Sequence, residues 1–428
     1  MRQAGLCVLC IVLVLALCQC SDSPTNSNSN PQYSIADLTV DDHDVLNAGA
    51  EFAPEIFRRV CEAKGPNENV FISPLSISIA LGMTHAGAAG RTRDEIHETL
   101  RLPADMTLEQ INTSYRSIMR VLPGLDPATQ VSLANAIWYR QDRTLRSSFE
   151  AICSEYFDAT AEGVDFADIK TLEMINGWVS DKTNGTIDEI ITPPIDPNLV
   201  ALLVNAIYFK GSWTHSFDTE NTESKAFMRF DGSQTTCDMM YMITDSLRDP
   251  ITGQQDTSIL HANTDLFNAA SLPYGNRSLR MTILVPHRNH NTSDIIVSLS
   301  EDTWAEWLGL LQSRPSIEIY LPRFRFSFDT LLNDQLIAMG MSSAFSPIDA
   351  NFDSLFVDSD PYVEKVLHKS FVQVDENGTE AAAVTAVFMD ESAKPYVDCD
   401  RPFVFVIHES TTGAILFIGR LADPLWEE

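Results

Sequence analysis

The chain has little positive charge. Its 428 residues include 29 Lys and Arg against 59 Asp and Glu, a formal net charge of −30 at pH 7. Such a surface repels phosphate backbones and anionic lipid, which argues against nucleic acid and membrane as partners. No basic stripe interrupts it, so the sequence offers no heparin site.

Chemical motifs are scarce as well. There is no HExxH, no GxSxG and no paired-carboxylate motif. These absences remove the readings of a zinc peptidase, an α/β-hydrolase and a two-carboxylate enzyme. His287 and His290 form an HxxH pair, but in a loop, where a solvated turn is the better reading than a metal site. Residues 87–92 (GAAGRT) lack the Lys of a phosphate loop and fall in a helical run. The expectation is a chain that is no enzyme, with no cofactor and no metal.

Cysteine is thinly spread. Of eight, Cys7, Cys10, Cys18 and Cys20 lie in or beside an apolar N-terminal run. Cys61, Cys153, Cys237 and Cys399 are far apart and lack metal-ligand spacing. They allow up to two disulfides, in three pairings the sequence does not resolve, or else four buried free thiols. No long hydrophobic run is present either. Residues 6–18 (LCVLCIVLVLALC) fall short of the ~20 residues a membrane-spanning helix needs. With Arg2 ahead of them they fit a secretory signal peptide over residues 1–20, cleaved near Cys18 or Cys20. Residues 21–44, which begin SDSPTNSNSN, read as a disordered polar linker. The expected product is secreted, extracellular and monomeric. Asn112, Asn184, Asn276, Asn291 and Asn377 each head an N-x-S/T sequon, so some glycosylation is expected.

From residue 45 to residue 428 there is neither a clean linker nor an internal repeat, and 44% of the chain is hydrophobic. One domain with a sizeable core follows. Helical periodicity marks residues 44–63, 74–102, 107–122, 148–157, 171–184, 303–312 and 331–340. Strand patterns mark 69–73, 131–139, 199–209, 226–243, 268–274, 279–285, 316–326, 362–374, 403–408 and 414–419. Helices gather early and strands dominate the middle and end, which is an α+β arrangement.

One stretch contradicts itself. Residues 375–386 read DENGTEAAAVTA. Taken as a strand, Thr379, Ala381, Ala383 and Thr385 point one way, and Glu380, Ala382, Val384 and Ala386 the other. The first face is small and uncharged, so it can enter a crowded sheet without overpacking it. The Ala run by itself prefers helix. This is a segment suited to loop or helix in one state and strand in another.

Several segments together resemble the serpins, the serine-protease-inhibitor superfamily. They are residues 69–80 (NVFISPLSISIA), 204–213 (VNAIYFKGSW), 321–326 (LPRFRF), 401–406 (RPFVFV) and 416–420 (LFIGR), with the hinge at 375–385. The resemblance runs from about residue 45 to Pro424. It implies a large central mixed sheet with two smaller sheets, eight to nine helices, and an exposed reactive-centre loop at about 377–395. It also implies a mechanism. An extracellular serine protease cuts the loop, is held as an acyl-enzyme, and is dragged along as the loop inserts into the main sheet. Glu376, Gly378, Thr379, Glu380, Ala381, Ala382, Ala383, Val384 and Thr385 match the family's hinge. Ser73, Ser76, Asn205 and His368 match its buried polar cluster beneath the sheet. Lys210 and Trp213 match positions at the top of the sheet, and Arg323 falls where an ion pair with Glu376 steadies the hinge.

The family's spacing from Glu376 puts the scissile bond at Ser392–Ala393, whereas counting back from Pro402 gives Glu391–Ser392. The first is favoured, since spacing to the hinge governs how far the protease is pulled. The loop's one cation, Lys394, precedes Pro395. A trypsin-like target is therefore disfavoured against an elastase-, subtilisin- or chymotrypsin-like one. The alternative is a non-inhibitory serpin acting as carrier, storage protein or chaperone, against which the small hinge residues argue.

Overall fold

The computed structural model describes residues 33–196, 199–249, 252–357, 361–378 and 395–427, which fall in one compact unit. The expected signal peptide lies outside them, as do the linker up to residue 32 and residues 379–394. That last segment contains Thr379, Glu380, Ala381, Ala382, Ala383, Val384, Thr385, Glu391, Ser392 and Ala393.

The chain opens with α1 (Val40–Lys64), β1 (Val70–Ile72), α2 (Pro74–Gly87), α3 (Gly90–Thr99) and α4 (Leu108–Val121). Next come β2 (Thr129–Arg140), α5 (Ser147–Tyr156), β3 (Thr160–Val164), α6 (Ile169–Lys182) and β4 (Ala201–Gly211). β5 (Glu223–Met228), β6 (Gln234–Ile243), β7 (Leu260–Asn263), β8 (Phe267–Pro273) and β9 (Leu279–Pro286) follow. Then come α7 (Thr292–Ser298), α8 (Glu301–Leu310), β10 (Gln312–Ser313), β11 (Glu318–Pro322), β12 (Phe324–Leu331) and α9 (Asn333–Ala338). β13 (Val366–Val374), β14 (Tyr396–Asp398), β15 (Phe403–Glu409) and β16 (Ile415–Leu421) close it.

Among the described residues the strands make three sheets, so the fold is α+β. A mixed five-stranded sheet has the order β12-β13-β4-β2-β3 and holds the longest strands, β2 with 12 residues and β4 with 11. A seven-stranded antiparallel sheet (β1-β16-β15-β9-β8-β7-β10) has the most strands, and β14-β11-β6-β5 form the third. α2 packs against α1, α4, β4 and β16, with every residue buried but Leu75. That position explains its apolar, small-residue sequence. It carries one end of the polar cluster under the sheet.

Some boundaries differ from expectation for physical reasons. The polar linker ends before residue 40, because Thr39 and Asp42 form a reciprocal capping box that starts α1 at Val40. The run at 226–243 is a hairpin, β5 and β6, turning at Gly232 with φ 83°. The alternating run at 316–326 is two strands in different sheets, β11 and β12, parting at Arg323.

Cys61, Cys153, Cys237 and Cys399, the four cysteines among the described residues, are buried and free, so the free-thiol alternative holds. Burial pushes the Cys61 and Cys153 thiols up to about 12 and Cys237 to about 11, which makes them inert. Among the sequons, Asn112 is corrected. It is 3% exposed on the inner face of α4, where the fold leaves no room for a glycan. Asn184 and Asn276 are exposed and Asn377 is half-buried. Asn291 caps α7 through its side-chain oxygen. His287 binds the Thr264 carbonyl and His290 faces Asp294, so the HxxH pair is spent on turn contacts.

Candidate functional site

The site lies where β13 and β4 run side by side. They are parallel neighbours, paired from Val366↔Leu203 to Phe371↔Tyr208. The ladder stops there, although β13 continues to Val374 and β4 to Gly211. A polar cleft of about 730 Å³ opens over this unpaired end, lined in part by Tyr208, Lys210, Lys369, Gln373, Asp375 and Asn377.

At the top of β13 the chain turns back at once. Asp375 and Gly378 form an antiparallel bridge, and the Gly378 N–H donates to the Asp375 carbonyl at 3.1 Å. The turn is docked on the segment after β4. The Trp213 N–H donates to Asn377 O (3.1 Å), Trp213 Nε1 donates to Asp375 O (3.0 Å), and the Phe217 N–H donates to Glu376 O (2.7 Å). Trp213 is itself fixed by a 4.4 Å stack on Tyr274. Only glycine fits at 378. Its φ is +74°, and a Cβ there would lie 2.4 Å from Trp213 N and 2.5 Å from Gly211 O. Gly378→Ala is expected to lower stability by at least ~1–2 kcal/mol from the left-handed backbone alone, before the clash. Thermal unfolding of the variant against wild type checks this.

The expected pair of Glu376 and Arg323 is present, with a difference. Glu376 Oε2 lies 3.5 Å from Arg323 Nε, and Asp238 lies 3.8 Å from Nη1. The hydrogen bond to Glu376 comes instead from Thr222 Oγ1 at 2.7 Å. Arg323 is 31% exposed, so the pair contributes about 0–1 kcal/mol.

Below the open end, a polar row crosses the sheet in register: Thr330, His368, Asn205 and Asn135. The Ser73 N–H donates to His368 Nε2 (3.2 Å), so that nitrogen carries the lone pair. The ring proton is then on Nδ1, which donates to Asn205 Oδ1 (3.1 Å). Asn205 Nδ2 donates to Ser76 Oγ (2.5 Å) and to Asn135 Oδ1 (2.8 Å). Ser73 Oγ accepts from the Ser76 N–H and donates to Leu416 O. Burial lowers His368 to about 3, which keeps the ring neutral. The structure brings together Ser73, Ser76, Asn205 and His368 as the sequence proposes. It adds Asn135, whose signal was a polar residue at the centre of an apolar strand.

The family-model comparison matches residues 47–424 to "Serpin (serine protease inhibitor)". The chain belongs to the serpin family. Serpin B6 of Macaca fascicularis is 32% identical over 389 residues, covering 89% of this chain and all of that one. The native structure of tengpin, a thermophilic serpin, superposes with TM-score 0.79 at 27% identity, covering 90% of this chain and 95% of that one. Human thyroxine-binding globulin also gives 0.79, at 26% identity, covering 90% of this chain and all of that one. Serpins are protease inhibitors rather than hydrolases, though the family also contains carriers. Relatives include serpins such as antithrombin-III and the glia-derived nexins beside serpin B6. No helix among the described residues is long and apolar enough to cross a membrane.

Proposed function

We propose that this serpin is a secreted, monomeric suicide-substrate inhibitor of extracellular serine proteases. The observation that carries this reading is the turn at residues 375–378, already folded back at the unpaired end of β13 and β4. Continuing its register places Thr379 opposite Val374, Ala381 opposite Val372, Ala383 opposite Ser370 and Thr385 opposite His368. Those four partners are 2%, 4%, 0% and 1% exposed and face the core. Directly paired residues point to the same face, so the small face of the hinge becomes the inward face. Glu380 falls opposite Gln373, on the solvent side. A strand entering here is antiparallel to both neighbours and replaces a parallel pairing, which is slightly weaker per residue. Entry breaks the bond between His368 and Asn205, which makes that pair the latch.

The protease's Ser oxygen attacks the carbonyl carbon of Ser392. The Ala393 amine leaves with a proton from the protease's base, and the acyl-enzyme remains. Insertion must outrun its hydrolysis. Lys210 and Trp213 stand where entry starts, and Arg323 with Glu376 sets part of the barrier. Ser392 suits an elastase- or subtilisin-like protease, while Phe388 and Met389 suit a chymotrypsin-like one less well, being close to the hinge. The likeness to thyroxine-binding globulin supports a carrier as the second reading. Incubation with elastase-, subtilisin-, chymotrypsin- and trypsin-like proteases separates the two. A denaturant-stable complex and a released peptide beginning at Ala393 are expected. Clean cleavage by every protease without a complex favours the carrier.

A further inference from the structure

Residues 425–427 lie past the family-matched segment, which ends at residue 424. They nevertheless lie on the sheet that the proposed mechanism opens. β12 is an outer strand of that sheet. An outer strand leaves alternate backbone groups without ladder partners. Here several of those groups are covered. The Arg325 N–H donates to Leu425 O (2.8 Å) and the Glu427 N–H donates to Arg325 O (3.0 Å). The Ser327 N–H donates to Glu427 Oε2 (2.9 Å), and Lys64 Nζ donates to Asp329 O (3.2 Å). Arg325 and Trp426 form a parallel bridge, so the segment adds a short strand outside β12.

The same segment reaches the hinge. The Arg323 guanidinium lies over the Trp426 ring, 4.3 Å from its centroid. Arg323 Nε makes no hydrogen bond, so the indole face and the carboxylates of Glu376 and Asp238 hold the group in place. Arg323 is also the residue where the chain passes from β11 to β12, and so from one sheet to another. Without the ring, a partly exposed guanidinium has no wall to keep it beside Glu376.

We propose that residues 425–427 are a clamp that closes the edge of β12, with Trp426 a positioning residue that holds Arg323 on Glu376 and so slows the parting of β13 from β4. The role rests on the sheet-opening reading above; the edge pairing does not. Two measurements separate them. The first is amide exchange in the full chain and in one stopped after Pro424. Arg325 and Ser327 are expected to be protected in the first and to exchange at least about tenfold faster in the second. Fast exchange of both in the full chain overturns the edge strand.

The second is uptake of a labelled synthetic peptide, TEAAAVTAVFMD, by wild type, Trp426→Ala, Trp426→Phe, Arg323→Ala and the Trp426→Ala/Arg323→Ala double variant. Trp426→Ala is expected to take it up about two- to fivefold faster, the weight of one exposed cation–π contact. Trp426→Phe should stay close to wild type, and Trp426→Ala should add nothing in the Arg323→Ala background. An unchanged Trp426→Ala, or an equal effect without Arg323, overturns the positioning role. No uptake by wild type overturns sheet opening, and the clamp's role with it.

Discussion

Thr379→Arg is expected to yield a protein that its target protease cuts and then releases. In the continued register residue 379 lies opposite Val374, which is 2% exposed. The inserted guanidinium would need a charged partner there, and the core-facing groups nearest in the row are Val374, Val372 and Ser370. Burying an unpaired charge costs several kcal/mol. A barrier raised by about 3 kcal/mol slows entry more than a hundredfold. Hydrolysis of the acyl-enzyme, unaffected by this residue, then wins. Stoichiometry is the measurement: near one inhibitor per protease for wild type, and at least about ten for the variant. Thr379→Ser and Thr379→Ala keep a small inward side chain and should stay near one. Equal trapping by Thr379→Arg contradicts the register.

Acid is expected to weaken the fold steeply below pH 6.5. Burial lowers His368 and His85 to about 3 and His408 to about 4. In the unfolded chain each takes up a proton near pH 6.5. Between that value and the folded one, the unfolded state binds more protons, so stability is full above pH 6.5 and falls as pH falls. Each ring contributes about 1.4 kcal/mol per pH unit, and three together about 4. Asp126 and Asp398 act in the opposite direction, because burial raises them and they favour the folded state as pH falls. Burial lowers His261 as well, so urea midpoints at pH 7, 6 and 5 should drop progressively, and His368→Gln should remove about a quarter to a third of the slope. A flat midpoint contradicts neutral buried rings. The latch connects this to function, since protonated His368 cannot accept the Ser73 N–H.

The sequence made the core of this account legible where local pattern and family motif coincide. β4 and α2 are long apolar segments, and Asn205 at the centre of β4, Ser76 in α2 and Ser73 just ahead of α2 carry the polar cluster between them. In β13, where Lys369, Ser370 and Gln373 are polar as well, the family motif singles out His368. Tertiary context set what the pattern concealed. Residues 316–326 read as one alternating run, yet its phase shifts between Leu321 and Phe324, at Pro322 and Arg323, where the chain passes from one sheet to the other. Asn112 satisfies a sequon yet faces inward, because helix period, not tripeptide identity, decides exposure. Asn135 lies in a strand that reads as apolar, and only the register beside Asn205 gives it a role. Trp426 lies outside the family motif, and its contact with Arg323 spans 103 positions of the chain that no local pattern connects.

The central claim is that the cut loop enters between β4 and β13. The most direct measurement is amide exchange and thermal unfolding before and after a single cleavage between residues 385 and 394 by a protease that is not trapped. The account predicts a large rise in unfolding temperature. It also predicts new protection at Gln373, whose N–H points into the gap where the ladder now stops, and at the amides of the entering strand itself. An unchanged unfolding temperature with those amides exchanging as before would contradict it.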